Sequence, residues 1–172
     1  ETLNEISELF LALSKLSKEN NLNIIFTAPN NDSGSKDIRD FITKNIKFIN
    51  GAKFIDTLGG HRYQSLLSLS VDRPVVICGN SSSIIKEAPY FNAHGLNIGR
   101  RQLKREGASS QINCDGNKSD IYKILHRLIK EKCEVEFNPY YVQNSSKKIV
   151  DFIKSTFSSK TREQILYKKW YE

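Results

Sequence analysis

The serines of segment 79–83, Gly-Asn-Ser-Ser-Ser, are the side chains best suited to bind an anion. The segment lies between a predicted buried strand and a predicted helix, so backbone N–H groups and three hydroxyls could converge on a phosphate. It matches neither the Walker pattern nor the GxGxxG fingerprint, and a plain strand-to-helix turn with a serine cap is the competing interpretation. Glu87 stands four residues after Ser83 on the same helix face. Its carboxylate is either a solvated helix residue or an acceptor for the hydroxyls of a ribose.

The second candidate is the basic loop 100–105, which follows the next predicted strand and contains Arg100, Arg101, Lys104 and Arg105. The guanidinium fork of arginine matches the spacing of phosphate oxygens, although a solvated basic loop is the alternative. Because the serine segment and this loop follow consecutive strands, we expect them to lie close together at one end of a sheet. Jointly they favour a diphosphate site.

Other polar residues give weaker signals. Asn30 and Asp32 lie in a turn rich in Pro, Asn and Gly, where such side chains usually bond the local backbone. His61 precedes a predicted helix and could present its ring to a base, but none of the three histidines has a visible Asp or Cys partner. The cysteines lack CxxC spacing, which argues against a disulfide framework and a structural metal and fits a reducing compartment. They are Cys78, Cys114 and Cys133.

Helices and strands alternate along the chain. The predicted strands are 23–27, 53–56, 74–78, 95–98 and 111–114, the third of them buried on both faces. Helices are predicted from Thr2, from a Ser35 cap, over 63–69, from about 83, from a Ser119 cap, from Ser145 or Ser146, and from Thr161. Right-handed crossovers then give an α/β fold, a Rossmann-like parallel sheet with helices on both faces. Ligands of such sheets bind beyond the carboxyl ends of the strands.

The composition is that of one compact domain with excess positive charge. The chain has 172 residues, and its 26 Lys and Arg exceed its 19 Asp and Glu by 7, which favours an anionic partner such as phosphate, nucleic acid or acidic membrane. Its apolar runs are far shorter than the roughly 20 residues of a membrane-spanning helix, which predicts a soluble, cytoplasmic protein. The chain contains no Met and opens on Glu-Thr-Leu within a predicted helix start. It is therefore expected to be a fragment.

Four segments in register resemble the hydrolysing UDP-N-acetylglucosamine 2-epimerase family. They are Pro29-Asn30-x-Asp32-x-Gly34-Ser35, the serine segment followed by Glu87-Ala88-Pro89, Asn97-Ile98-Gly99-x-Arg101-Gln102-x-x-Arg105, and Asn138-Pro139-Tyr140. Family members have two Rossmann-like halves, as in B-type glycosyltransferases, with the substrate between them. The resemblance implies that residues 1–172 are the C-terminal nucleotide-binding half of a larger enzyme and that the N-terminal half is absent.

The resemblance also implies a set of nucleotide-binding residues: Asn30, His61, Arg62, Ser81, Ser82, Glu87 and Arg101. The two serines would bind the UDP phosphates, the arginine at 101 would clamp the diphosphate, and the glutamate would hold the ribose. The asparagine would face the nucleotide, and the histidine and its neighbouring arginine would lie near the uracil. The family's catalytic carboxylates belong to the missing half, so no catalytic residue, cofactor or metal is assigned here.

Some positions depart from the family pattern. Ile84 stands where the family usually has Gly after the serines, and Lys104 where Gly commonly precedes the last Arg. A β-branched residue at the helix start is expected to restrict the backbone near the phosphates. Asp40 and Thr43 stand where mammalian relatives carry arginines that hold a nucleotide-sialic acid inhibitor. Feedback control of that kind is therefore not implied.

The implied reaction converts a UDP-N-acetylhexosamine to UDP and a free N-acetylmannosamine-type sugar for sialic acid or surface polysaccharide synthesis. The expected partners are the UDP-sugar, the missing N-terminal half and a second copy of the chain, with no nucleic acid or membrane. Two alternatives stay open from the residues: a catalytically inactive nucleotide-sugar-binding module, and a basic nucleic-acid-binding domain. No nucleic-acid-binding motif supports the second of these.

Overall fold

The computed structural model describes residues 2–30 and 34–167. The chain divides into two compact units, Glu1–Pro139 and Tyr140–Glu172. The first unit carries all five strands of the described residues, and the second carries two helices. Among the described residues, no helix has the length and apolar content needed to cross a membrane. Asp32, which belongs to the first family-like segment, lies outside the described residues.

Helices and strands alternate in the first unit as predicted. The strands are β1 Ile24–Thr27, β2 Ala52–Ile55, β3 Val76–Gly79, β4 His94–Ile98 and β5 Gln111–Cys114. The helices are α1 Thr2–Glu19, α2 Ser35–Asn45, α3 Gly59–Ser68, α4 Ser83–Lys86 and α5 Lys118–Leu128, and the second unit contains α6 Ser145–Ser159 and α7 Arg162–Leu166. Short 3₁₀ turns follow α2, α3 and α4.

The strands form two parallel ladders. β1 pairs with β2, with Phe26 opposite Phe54, and β3, β4 and β5 pair in that order, with Gly79 opposite Asn97. The α/β, Rossmann-like class is confirmed, but the expected single sheet is divided, because no strand pairing among the described residues joins the two ladders. Apolar packing joins them instead, since side chains of all five strands belong to one hydrophobic cluster.

Helix α1 supplies much of that cluster. Apolar residues recur along it at intervals of three and four, which gives one continuous apolar face. Leu9, Phe10, Leu13 and Leu16 are all buried there, and the Phe10 ring stacks on the Phe26 ring of β1 at 4.7 Å between centroids. Helix α5 contributes Ile121 and Leu125 of its own buried face to the same cluster. Both helices thus contribute to the hydrophobic core that packs against the strands.

The structure corrects several predicted helix caps. Gly34, with φ of 84°, precedes α2 in place of a Ser35 cap, because a left-handed backbone there favours glycine. Asn117 caps α5 by accepting a hydrogen bond from the Asp120 backbone N–H at 2.9 Å, so Ser119 lies inside the helix. Strand β3 begins two residues later than predicted and is half-buried, not fully buried.

In the second unit, α7 begins as predicted at Thr161, which forms a reciprocal capping box with Gln164. Helix α6 follows Asn144, whose backbone is left-handed. The apolar residues of α6 were expected to face inward, but the structure exposes them. They are Ile149, Val150, Phe152 and Ile153. The described part of this unit contains only α6 and the short α7, which offer too little surface to cover them.

Candidate functional site

The two predicted anion-binding segments meet at the carboxyl ends of β3 and β4. Because these strands are parallel neighbours, the loop after Gly79 and the loop after Ile98 leave the same edge of the ladder. Gln102 joins the loops directly, since its Nε2 donates a hydrogen bond to the Asn80 carbonyl oxygen at 2.8 Å. The Gln102 side chain is buried, with 3% of the residue exposed. The serine segment and the basic loop therefore form one continuous surface.

Hydrogen bonds within the serine segment orient the Ser81 hydroxyl. The Ser83 backbone N–H and the Ser83 hydroxyl both donate to Ser81 Oγ, at 3.3 and 3.1 Å. Since Ser81 Oγ accepts both bonds, the Ser81 proton can point to a ligand, and Ser81 is exposed to solvent. Ser82 is partly buried, and its carbonyl accepts the N–H groups of Ile85 and Lys86 at 3.1 Å each.

Tyr63 lies behind the serine segment and connects α3 with α4. Its hydroxyl oxygen is buried. Burial is the main cause that raises the pKa of Tyr63; the nearby Ser83 side chain opposes this rise, and the Glu87 carboxylate adds to it. The phenol therefore stays neutral at physiological pH, close to both Ser83 and Glu87. Glu87, exposed just after the end of α4, thus shares Tyr63 as a neighbour with Ser83.

A buried asparagine supports the start of the basic loop. Asn97, fully buried in β4, donates from Nδ2 to the Gly99 carbonyl at 3.3 Å and to Asn113 Oδ1 at 2.9 Å. Gly99 has φ of 77°, and a Cβ there would collide with the Glu5 carboxylate of α1. Beyond this turn, the cationic side chains of the loop are exposed. They are Arg100, Arg101, Lys104 and Arg105.

Asn30 lies at the carboxyl end of the other ladder. It lines an open concavity of about 410 Å³ together with Ala28, Pro29, Arg39, Asp56 and Thr57. Across this concavity, Arg39 Nη2 and Asp56 Oδ1 form an ion pair at 2.5 Å. The concavity is polar and follows β1 and β2, as the serine segment and basic loop follow β3 and β4.

His61 and Arg62 lie on the exposed first turn of α3, directly after β2. The backbone N–H of Gly59 at the start of this helix donates to Thr57 Oγ1 at 3.2 Å, which ties the helix start to the edge of the concavity. One residue further on, Tyr63 faces α4. Helix α3 thus connects the part of the surface that holds Asn30 with the part that holds Ser81.

Ile84 does not occupy the anion-binding surface. Its side chain is fully buried, and it lies so close to β4 that a Cβ on Gly95 would come within 2.8 Å of Ile84 Cγ2. The Ile84 side chain therefore packs in the core behind that region, and the expected restriction of the backbone near the phosphates stays a prediction. Lys104, the other departure from the family pattern, lies on the exposed outer face of the basic loop.

Among the described residues, no group of three or more His, Cys, Asp or Glu side chains is arranged to hold a metal ion. Burial raises the pKa of the Cys78 thiol to about 11, so the thiol is protonated at neutral pH and unreactive. The serine segment, the basic loop and Glu87 together present hydroxyls, guanidinium groups and a carboxylate, which suit binding of a phosphorylated diol.

Two residues at the centre of this surface, Gln102 and Tyr63, were not among the predicted site residues. Gln102 lies within the third of the four family-like segments. The sequence feature that distinguishes it is a neutral side chain among four cationic residues. Tyr63 was part of a predicted helix, and nothing in its spacing distinguished it from a core residue.

Comparisons with known proteins identify the relatives of this chain. The sequence model of the family described as UDP-N-acetylglucosamine 2-epimerase matches residues 1–154. The chain is 33% identical over 118 residues to the GDP/UDP-N,N'-diacetylbacillosamine 2-epimerase (hydrolyzing) of Campylobacter jejuni, covering 68% of this chain and 30% of that protein. It is 28% identical over 175 aligned positions to the polysialic acid biosynthesis protein P7 of Escherichia coli, covering 98% of this chain and 41% of that protein.

A solved structure shows the same fold. The UDP-GlcNAc 2-epimerase of Methanocaldococcus jannaschii superposes with a TM-score of 0.66 at 15% identity, covering 88% of this chain and 41% of that one. The chain thus spans 30% to 41% of the length of these relatives. Since the family's sequence pattern extends over most of the chain, the chain belongs to the UDP-N-acetylglucosamine 2-epimerase family, as its four motifs predicted.

Proposed function

We propose that this chain is the nucleotide-binding half of a hydrolysing UDP-N-acetylhexosamine 2-epimerase. The observation that carries the proposal is the hydrogen bond from Gln102 to Asn80, which unites a hydroxyl-rich segment and an arginine loop in a member of this family. In the proposed reaction, UDP leaves the sugar, water is added, and the configuration at C2 is inverted. The products are UDP and a free N-acetylmannosamine-type sugar.

The diphosphate binds between the two loops. The Ser81 hydroxyl donates to a phosphate oxygen, since its own oxygen already accepts two hydrogen bonds from Ser83. Ser82 adds a second contact from the same turn. Arg101, exposed on the facing loop, forms the bidentate contact for which its planar guanidinium is suited. The cationic residues of this loop are part of the chain's overall excess of Lys and Arg over Asp and Glu.

The nucleoside binds beside the diphosphate. Glu87 accepts hydrogen bonds from the ribose hydroxyls, and its neighbour Tyr63, held neutral by burial, adds no negative charge against the phosphates. Asn30 contacts the nucleotide from the polar concavity, and the first turn of α3 brings His61 and Arg62 to the uracil. These assignments follow the family resemblance residue by residue.

The catalytic acid and base come from the N-terminal half that family members place across the cleft. The chain covers less than half of each relative's length, so the whole enzyme's activity and its UDP-sugar depend on that partner region. We further propose that the enzyme works in the cytoplasm, which suits its three free cysteines. Assembly of two copies is part of the same proposal.

The test is UDP binding by Arg101→Lys and by the matched control Arg100→Lys, measured by NMR titration of the 172-residue chain. Both substitutions keep the net charge, but only the first removes the proposed bidentate contact. Loss of hydrogen bonds to a charged group costs about 1.5–3 kcal/mol, so Arg101→Lys should weaken UDP binding by at least tenfold. Arg100→Lys should bind UDP as the unmodified chain does, and uridine, which has no phosphate, should bind both variants equally.

Two results would contradict the proposal. Equal UDP affinities for Arg101→Lys and the unmodified chain would remove Arg101 from the site. Binding of any nucleic acid offered, with an affinity that falls steeply with salt and no response to either substitution, would instead identify a diffuse polyanion-binding surface. In the titration itself, the amides of Ser81, Ser82, Glu87 and Arg101 should shift.

A further inference from the structure

Gln102 is an unusual residue within the basic loop. Its neighbours on either side are exposed, but only 3% of the Gln102 surface is exposed. Its Nε2 reaches back 22 positions along the chain to the carbonyl oxygen of Asn80. The bond therefore connects two loops that follow different strands.

We infer that Gln102 is a positioning residue that sets the spacing between the serine segment and Arg101 for binding of a nucleoside diphosphate. The inference rests on the proposed function. A diphosphate that binds between the two loops must be contacted by both of them at once. The described pairing of β3 with β4 ends at Gly79 and Asn97, before either loop begins. Past the end of this pairing, the hydrogen bond from the Gln102 side chain to the Asn80 carbonyl connects the two loops.

The surroundings of Gln102 suit this role. The loop is anchored at its start by Asn97, which donates to the Gly99 carbonyl at 3.3 Å, and Gln102 anchors it again three residues later. Arg101 lies between these two anchors and directly precedes Gln102. Because consecutive Cα atoms are a fixed distance apart, the buried and hydrogen-bonded Gln102 restricts the position of the Arg101 Cα. Removing the side-chain donor releases the loop from Asn80 and widens the range of Arg101 positions.

The experiment is a double-mutant cycle on UDP affinity, measured by NMR titration of the 172-residue chain. The variants are Gln102→Met, which removes the donor at nearly constant volume, Arg101→Ala, and the two combined. Gln102→Met alone should weaken UDP binding by about threefold to tenfold, which corresponds to the net value of one hydrogen bond. In the Arg101→Ala background, the same substitution should weaken UDP binding by less than about twofold, because the group that it positions is gone.

Asn45→Leu is the matched control. Asn45 Nδ2 also donates to a backbone carbonyl, that of Phe41 at 2.7 Å, but it lies at the end of α2. This variant should bind UDP as the unmodified chain does, even if it melts at a lower temperature. All titrations are run at a temperature at which circular dichroism shows each variant folded, and Gln102→Asn, one methylene too short to reach Asn80, replaces Gln102→Met if the latter does not fold.

Each outcome decides between positioning and simple structural support. Equal losses in both backgrounds, or no loss in either, would overturn the positioning role while leaving the proposed function in place. A loss confined to the background that retains Arg101 would support it. Failure of the unmodified chain to bind UDP would overturn the proposed function, and the positioning role with it.

Discussion

Gly95→Ala tests how closely α4, and with it the serine segment, is seated on β4. A Cβ on Gly95 would lie 2.8 Å from Ile84 Cγ2 and 2.9 Å from the Ile84 carbonyl oxygen. Ile84 cannot turn away, because it is fully buried and its β-branched side chain has few rotamers. Overpacking of this kind costs about 1–3 kcal/mol, which for a chain of this size lowers the melting temperature by roughly 2–12 °C.

The assay is thermal unfolding followed by circular dichroism, with Gly60→Ala as the matched control. A Cβ on Gly60 would meet no atom within 4 Å, and alanine favours a helix over glycine by about 1 kcal/mol, so this variant should melt no lower than the unmodified chain. In Gly95→Ala/Ile84→Ala the clash with Cγ2 is gone but that with the carbonyl remains, so the two costs should be less than additive. A Gly95→Ala chain that melts within about 1 °C of the unmodified one would refute the close packing of α4 on β4.

Three further outcomes are expected. Coupled detection of UDP release from UDP-N-acetylglucosamine should read background for this chain alone, because the proposed function places the proton-transfer carboxylates in an N-terminal half, and turnover at an enzymatic rate would refute that assignment. Asn117→Ala should destabilise the chain by about 0.5–2 kcal/mol in urea unfolding, because it removes the α5 cap, whereas Ser119→Ala should be nearly silent. The folded pKa of Cys78 is about 11 against an ordinary 9.0, so the unfolded thiol ionises first and stability should fall as pH rises between these values. This fall should be smaller in Cys78→Ala, and equal slopes for the two chains would contradict it.

The alternation of strands and helices was predictable because it depends on local periodicity. Each strand is a short segment that contains apolar residues, and β5 was found at its predicted bounds of 111–114. Helix caps were less predictable, because Ser, Asn and Gly compete for the same position. At the start of α2 the backbone angle decided the outcome, since φ of 84° favours Gly34 over the neighbouring serine. The division into two ladders depends on strand pairing between distant parts of the chain, which local patterns do not contain.

The meeting of the serine segment and basic loop was also predictable, because consecutive parallel strands bring their following loops to one edge. The contact that joins them was not. A glutamine among four cations indicates a solvated loop by composition, and its burial depends on a carbonyl 22 residues earlier. The role of Tyr63 was not predictable for the same reason, since it depends on Ser83 at the start of α4 and on Glu87 just after its end.

Ile84 shows why a departure from a family pattern has to be interpreted together with its spatial neighbour. Considered along the sequence, a β-branched residue directly after the serines indicates a restricted phosphate-binding turn. In the structure its side chain is directed to β4, where Gly95 leaves space for Cγ2. The turn can therefore keep its hydrogen bonds from Ser83 to Ser81 while the side chain at 84 contributes apolar burial to the core. It follows that a side chain at 95 requires both a smaller residue at 84 and a shift of the residue-84 carbonyl, whereas large residues at both positions would displace α4 and the serine segment with it.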